Sequence, residues 1–114
     1  MTRARDVLAA AAVAVPLAAY AGDAPRPIQP ERMLGAATFE WTRAGARCRA
    51  VDAALVKKWA HGYMCMPPDD PSASASGKPL AATCTARKGR SEYLVFKLAA
   101  DCAAERDTQA ANGE

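Results

Sequence analysis

The chain has 114 residues, with 15 Lys and Arg against 12 Asp and Glu, four cysteines and one histidine. That length holds one small core. The small positive charge gives no footing for a nucleic-acid binder and selects no partner by itself.

The chain opens MTRARDVLAAAAVAVPLAAYAGDA. Arg3 and Arg5 precede an apolar run from Val7 to Ala19, and Ala19-Tyr20-Ala21 is a small-x-small signature. A charged start, an apolar middle and a small-residue end make a secretory signal peptide. The run falls short of the roughly 20 apolar residues of a membrane span. Pro16 suits a segment that is removed better than a lasting helix. Residues 1–21 are therefore expected to be cut off after Ala21, with Ala24 as the competing position. The alternative, an uncleaved anchor, is disfavoured by the same length. An alanine-rich leader of this kind points to a bacterial protein, exported to the periplasm or the extracellular space. After cleavage no transmembrane span is expected. The mature chain, 22–114, carries 13 Lys and Arg against 11 Asp and Glu.

Residues 22–35 read as an extended N-terminal lead-in, with three prolines between Pro25 and Arg32. Residues 36–114 are expected to form a single small domain. At its start Phe39 and Trp41 alternate with Thr38 and Glu40, a short strand pattern. A helix capped by Thr38 is the competing reading. A clearer helix is expected over Arg43–Ala60, capped by Thr42. Ala44, Cys48, Val51, Leu55 and Trp59 recur at steps of three and four and make one stripe. Gly45 weakens its first turns by roughly 1 kcal/mol relative to alanine. Gly62 stands where a C-cap glycine belongs.

Then comes HGYMCM, His61 to Met66. His61, Met64, Cys65 and Met66 are the ligand types that copper favours. Against a metal site, adjacent residues of an extended strand point to opposite faces. A bridged Cys65 would also supply no thiolate. Residues 67–79, PPDDPSASASGKP, form a Pro/Ser-rich loop with no apolar periodicity.

A β-hairpin is expected over about 80–98, turning at Lys88-Gly89-Arg90. A three-residue turn sets Cys84 opposite Leu94 and gathers Leu94, Phe96 and Leu98 on its face. A two-residue turn at Lys88-Gly89 sets Cys84 opposite Tyr93 instead. A slip of one residue exchanges the faces, and the first register is preferred because it collects the apolar side chains. An alanine-rich helix over 99–111 follows, stopped by Asn112-Gly113. Asp101 and Glu105 suit the positive end of its dipole.

An even number of cysteines in a short exported chain implies two disulfides. Four cysteines allow three pairings. Because the 67–79 loop leaves two cysteines on each side, Cys48–Cys65 and Cys84–Cys102 are the expected bridges.

No catalytic set emerges. His61 has no evident nucleophile partner, since Ser72, Ser74 and Ser76 lie in the loop. Asp69-Asp70, the one adjacent acidic pair, cannot flank a substrate from a loop. C-x-x-C and C-x-x-C-H are absent. No cofactor is expected. The sequence therefore reads as a small α+β fold stabilised by two disulfides, in an exported, non-enzymatic accessory or protein-binding module. Its partner class is an envelope or extracellular protein, and the candidate surface is Tyr63, Arg87, Lys88, Arg90 and Tyr93. The alternative is a copper-binding protein using His61, Met64, Cys65 and Met66.

Overall fold

A computed structural model describes residues 25–113; the expected signal peptide and its cleavage site lie outside the described residues. Five strands and two longer helices follow one another along the described residues. They are β1 (Ala37–Glu40), β2 (Arg49–Ala50), α1 (Ala53–Gly62), β3 (Tyr63–Met66), β4 (Ala82–Ala86), β5 (Glu92–Phe96) and α2 (Ala99–Gly113), with 3-10 turns at Pro30–Met33 and Pro71–Ala73. The strands form one antiparallel sheet in the order β2-β1-β5-β4-β3.

The helices lie on opposite faces of this sheet. Leu55 and Trp59 of α1 pack with Val51, Cys65, Ala82, Cys84, Tyr93 and Val95. Cys102 of α2 packs on the other face with Ala37, Phe39, Leu94 and Phe96. Central strand β5 therefore buries Tyr93 and Val95 on one side and Leu94 and Phe96 on the other. Its continuous run of bulky residues follows from being covered on both faces. Thr38 is buried in neighbouring β1, where its hydroxyl donates to the Leu94 carbonyl at 2.7 Å, so the buried group is satisfied. The lead-in is tied down: Ile28 donates its N–H to the Cys65 carbonyl at 2.7 Å, and Met33 is buried against the α1 core.

The small α+β fold, its hairpin, its two helices and its two disulfides are present, and so is the strand around Phe39. The expected helix over Arg43–Ala60 begins ten residues late. Asp52, in extended conformation, accepts the Leu55 N–H on its carboxylate at 2.9 Å and is the N-cap. Upstream, Gly45 turns the chain at φ +76°, a conformation that costs glycine little and other residues much. Only Val51, Leu55 and Trp59 of the expected stripe lie in the α1 core. At the far end Gly62 is the last helical residue and Tyr63 is already extended, so helix runs directly into strand without a left-handed cap.

The hairpin takes the register with Cys84 opposite Tyr93, not Leu94. The preferred register assumed one buried face. With both faces covered, Cys84 joins Tyr93 and Val95 under α1, and Leu98 is left exposed.

The disulfides pair differently from expectation: Cys65–Cys84 and Cys48–Cys102. Cys65 and Cys84 are directly opposite on β3 and β4, with Cα atoms 3.9 Å apart. Cys48 precedes β2 and packs against the other cluster, where Cys102 of α2 meets it at a Cα distance of 6.2 Å. The sheet itself separates Cys48 from Cys65, so pairing within each half of the chain is ruled out. No helix among the described residues is long and apolar enough to cross a membrane.

Candidate functional site

The HGYMCM stretch does not converge. Cys65 is only 2 % exposed and is bridged to Cys84. In β3, Tyr63 and Cys65 face α1, and Met64 and Met66 face the other way. His61 lies in the last turn of α1 with Nδ1 3.1 Å from the Lys57 carbonyl. A bridged cysteine offers no thiolate, which overturns the copper reading of His61, Met64, Cys65 and Met66. Among the described residues no group of three or more His, Cys, Asp or Glu could hold a metal ion.

The candidate surface residues divide into a buried part and an exposed part. Tyr93 is core, 5 % exposed and edge-on to Trp59 at 5.3 Å and to Tyr63 at 5.7 Å; it is corrected from surface to scaffold. Lys58 Nζ donates to the Tyr93 hydroxyl at 3.1 Å and lies 5.5 Å from that ring's centre. This hydrogen bond holds the Lys58 ammonium above the ordinary lysine range, against the opposing effect of burial. A lysine held charged in this way is no general base. Beside it the Tyr63 hydroxyl donates to Ser91 Oγ at 2.7 Å, and Ser91 donates to Glu40 at 2.6 Å. Arg43 closes on the same carboxylate at 3.1 Å. The relay ends on an occupied acceptor and braces β1, β3 and β5.

Tyr63, Arg87, Lys88 and Arg90 do come together. With His61 and Ser91 they line a cleft of about 480 Å³ between the end of α1 and the hairpin tip. The sequence had suggested the tip; the contribution of His61 depends on α1 ending beside it, which spacing alone does not reveal.

A larger concavity lies on the opposite sheet face. There α2 packs over β1 and β5, leaving Thr83 and Thr85 of β4 and Met64 and Met66 of β3 uncovered. The 67–80 connection arches along this open half and is fixed to α2 by one residue. Glu105, 1 % exposed, accepts the N–H groups of Ser76 at 2.8 Å and Ala75 at 3.2 Å, and the Gln109 amide at 2.7 Å. Burial pushes its carboxyl pKa up, but these hydrogen bonds outweigh it and the net shift is downward.

The result is a trough of about 870 Å³. Met66, Thr83 and Leu94 form its floor, Pro67, Pro68 and Leu80 one wall, and the end of α2 the other. Trp41 stands at the rim, 44 % exposed, with its indole N–H donated to Glu92 at 2.8 Å. The second Glu92 oxygen accepts from the Thr85 hydroxyl. Asp69, Asp70, Glu92 and Glu105 line the trough, and among the described residues no Lys, Arg or His does. Hydrogen bonds from the Ser72 hydroxyl and N–H keep Asp70 below the usual carboxylate range. The sequence concealed this site because its walls come from a segment that reads as bare linker. Asp70, Pro71 and Ser72 were the available signal, since an Asx turn orders such a loop.

Compared with protein-family models, with curated proteins and with solved structures, the chain matches none of them.

Proposed function

We propose that the chain is a small exported, non-enzymatic module that binds a partner protein, with an extended segment of the partner lying in the trough. One observation carries this reading: the trough is mostly apolar along its floor and one wall, is lined by four carboxylates, and among the described residues meets no basic side chain. Apolar sites with a few oriented polar groups are where ligands bind. The segment that fits has apolar side chains flanking a lysine or arginine, whose cation would lie near Glu92 and the exposed face of Trp41. The leader sequence and the two disulfides support an exported location. The occupied Ser91–Glu40 relay and the charged Lys58 favour binding over catalysis.

The test is selection of displayed random peptides on the purified protein. Enriched sequences should share a basic residue with apolar neighbours. Their affinity should fall at least tenfold on Thr83→Arg, which fills the floor and places a repelling cation there. It should be unchanged by Arg87→Ala at the hairpin tip. Failure to enrich any sequence, or equal binding to Thr83→Arg, would remove the trough from consideration.

A further inference from the structure

We propose that the hairpin-tip cleft is a separate site that binds a phosphoryl group, held by Arg87, Lys88 and Arg90. The proposal does not depend on the trough, which lies on the other face of the sheet.

Three fixed cations fall within four residues of one tight loop. Gly89, at φ +91°, gives that loop its turn. Its base is fastened twice: Ala86 N–H donates to the Ser91 carbonyl and Arg87 N–H to the Gly62 carbonyl, both at 2.9 Å. The charges are therefore carried on an anchored frame. Some of the other basic side chains are engaged, and among the described residues those that are not (Arg26, Arg32, Arg47, Lys57, Lys78 and Lys97) are spread along the chain rather than gathered at one cleft. Arg43 pairs with Glu40, Arg49 with Asp52, and Arg106 donates to the Ala46 carbonyl. Among the described residues, Arg87, Lys88 and Arg90 make no ion pair and no side-chain hydrogen bond.

The nearest carboxylates do not neutralise them. Glu40 reaches this region only through Ser91 and is already shared with Arg43. Glu92 borders the neighbouring cleft with Arg90, but its oxygens accept from Trp41 and Thr85. Among the described residues no acid lines the cleft itself, and His61 adds a further ring nitrogen.

A single carboxylate would leave such a cluster underneutralised. A phosphate monoester carries about −1.5 to −2 charges and three acceptor oxygens. Two guanidinium forks match those oxygens in bidentate fashion, and lysine adds a point charge. At about 480 Å³ the cleft also has room for part of the group that bears the phosphate. A soluble phosphate compound and a lipid phosphate headgroup share this chemistry.

The experiment titrates the exported protein with inorganic pyrophosphate while amide resonances are followed, and in parallel floats it with vesicles. The vesicles are phosphatidylcholine alone or with phosphatidic acid. Saturable shifts should be confined to the Gly62–Tyr63 and Ala86–Ser91 amides, with Thr83 and Leu94 unmoved. The double variant Arg87→Ala/Arg90→Ala should bind at least tenfold more weakly while keeping the amide dispersion of the fold. Lys78→Ala, which removes a cation outside the cleft, should bind as the parent does. Pyrophosphate binding without vesicle binding assigns a soluble ligand. Flotation with phosphatidic acid vesicles that pyrophosphate competes away assigns a lipid headgroup. The proposal is overturned by absence of both, by vesicle binding that pyrophosphate does not displace, by binding that survives the double variant, or by an equal loss in Lys78→Ala.

Discussion

Glu105 is a buried carboxylate whose partners are neutral: two backbone N–H groups and one amide. A charge in that position is stable only while all its donors are in place, because an unpaired buried charge is costly. Its role is to hold the 67–80 arch against α2 and so keep the trough open. Glu105→Gln keeps the shape but turns an NH2 group toward donors, and should destabilise the fold by about 1–3 kcal/mol. The pH dependence follows from the same contacts. The folded pKa lies below the ordinary glutamate value of 4.5, so just below that value the unfolded chain binds more protons. Stability from this group is complete above about pH 4.5 and is lost as pH falls through the lowered folded value. Asp52 and Asp70 are shifted the same way, so the parent protein's acid sensitivity is shared among the three. Urea midpoints at pH 7 and pH 3 should therefore converge between parent and Glu105→Gln at the acid end. A constant difference would show that the carboxylate carries no charge-dependent stability.

Helix α1 shows how a single cap decides an element. Asp52 supplies the acceptor for the Leu55 N–H and is also paired with Arg49 at 3.0 Å. Asp52→Ala should cost about 1 kcal/mol, the usual loss for an N-cap, with the exposed ion pair adding little. Thr42, the cap expected from sequence, instead accepts the Glu92 N–H on its hydroxyl at 3.0 Å. Thr42→Ala removes only this exposed hydrogen bond and should lower the urea midpoint by less than Asp52→Ala does; a loss as large as that of Asp52→Ala would contradict the observed helix start. Elements with a local signal were legible in the sequence. The strand around Phe39, the two runs of the hairpin and the alanine-rich α2 were each marked by local composition, although β1 does not alternate: Ala37, Thr38 and Phe39 are all buried and Trp41 lies exposed beyond its end. Asp52 was legible too, as a good cap just before Ala53, but the accidental spacing of Ala44 and Cys48 extended the stripe past it. The hairpin register was not legible, because choosing it requires knowing that β5 is covered on both faces. The trough was hidden for the same reason: its floor and walls come from segments that meet only once α2 lies over β1 and β5.

The molecule as a whole is a sheet between two helices, with one disulfide on each side. Cys65–Cys84 lies in the α1 core and spans 19 residues; Cys48–Cys102 lies in the α2 core and spans 54. In the chain-entropy account the shorter loop is worth about 3 kcal/mol and the longer about 4 kcal/mol. Small domains have a net stability of about 5–15 kcal/mol, so the two bridges supply a large share of it, and Cys48→Ala/Cys102→Ala should lower the urea midpoint more than Cys65→Ala/Cys84→Ala. The connectivity has a sharper test in the placement of basic residues. Trypsin cuts after Arg47, Arg49, Lys58, Arg87, Lys97 and Arg106 but poorly at Lys78-Pro79. Cys65 and Cys84 therefore remain in one peptide, 59–87, while Cys48 and Cys102 fall in 48–49 and 98–106. Without reductant, the observed pairing yields peptide 59–87 lighter by the two hydrogens of an internal bridge, and a separate adduct of 48–49 with 98–106. Pairing within each half of the chain would instead join all three peptides into one species. Finding that species would overturn the two-faced core along with the bridges, because Cys48 can reach Cys65 only if the sheet does not stand between them.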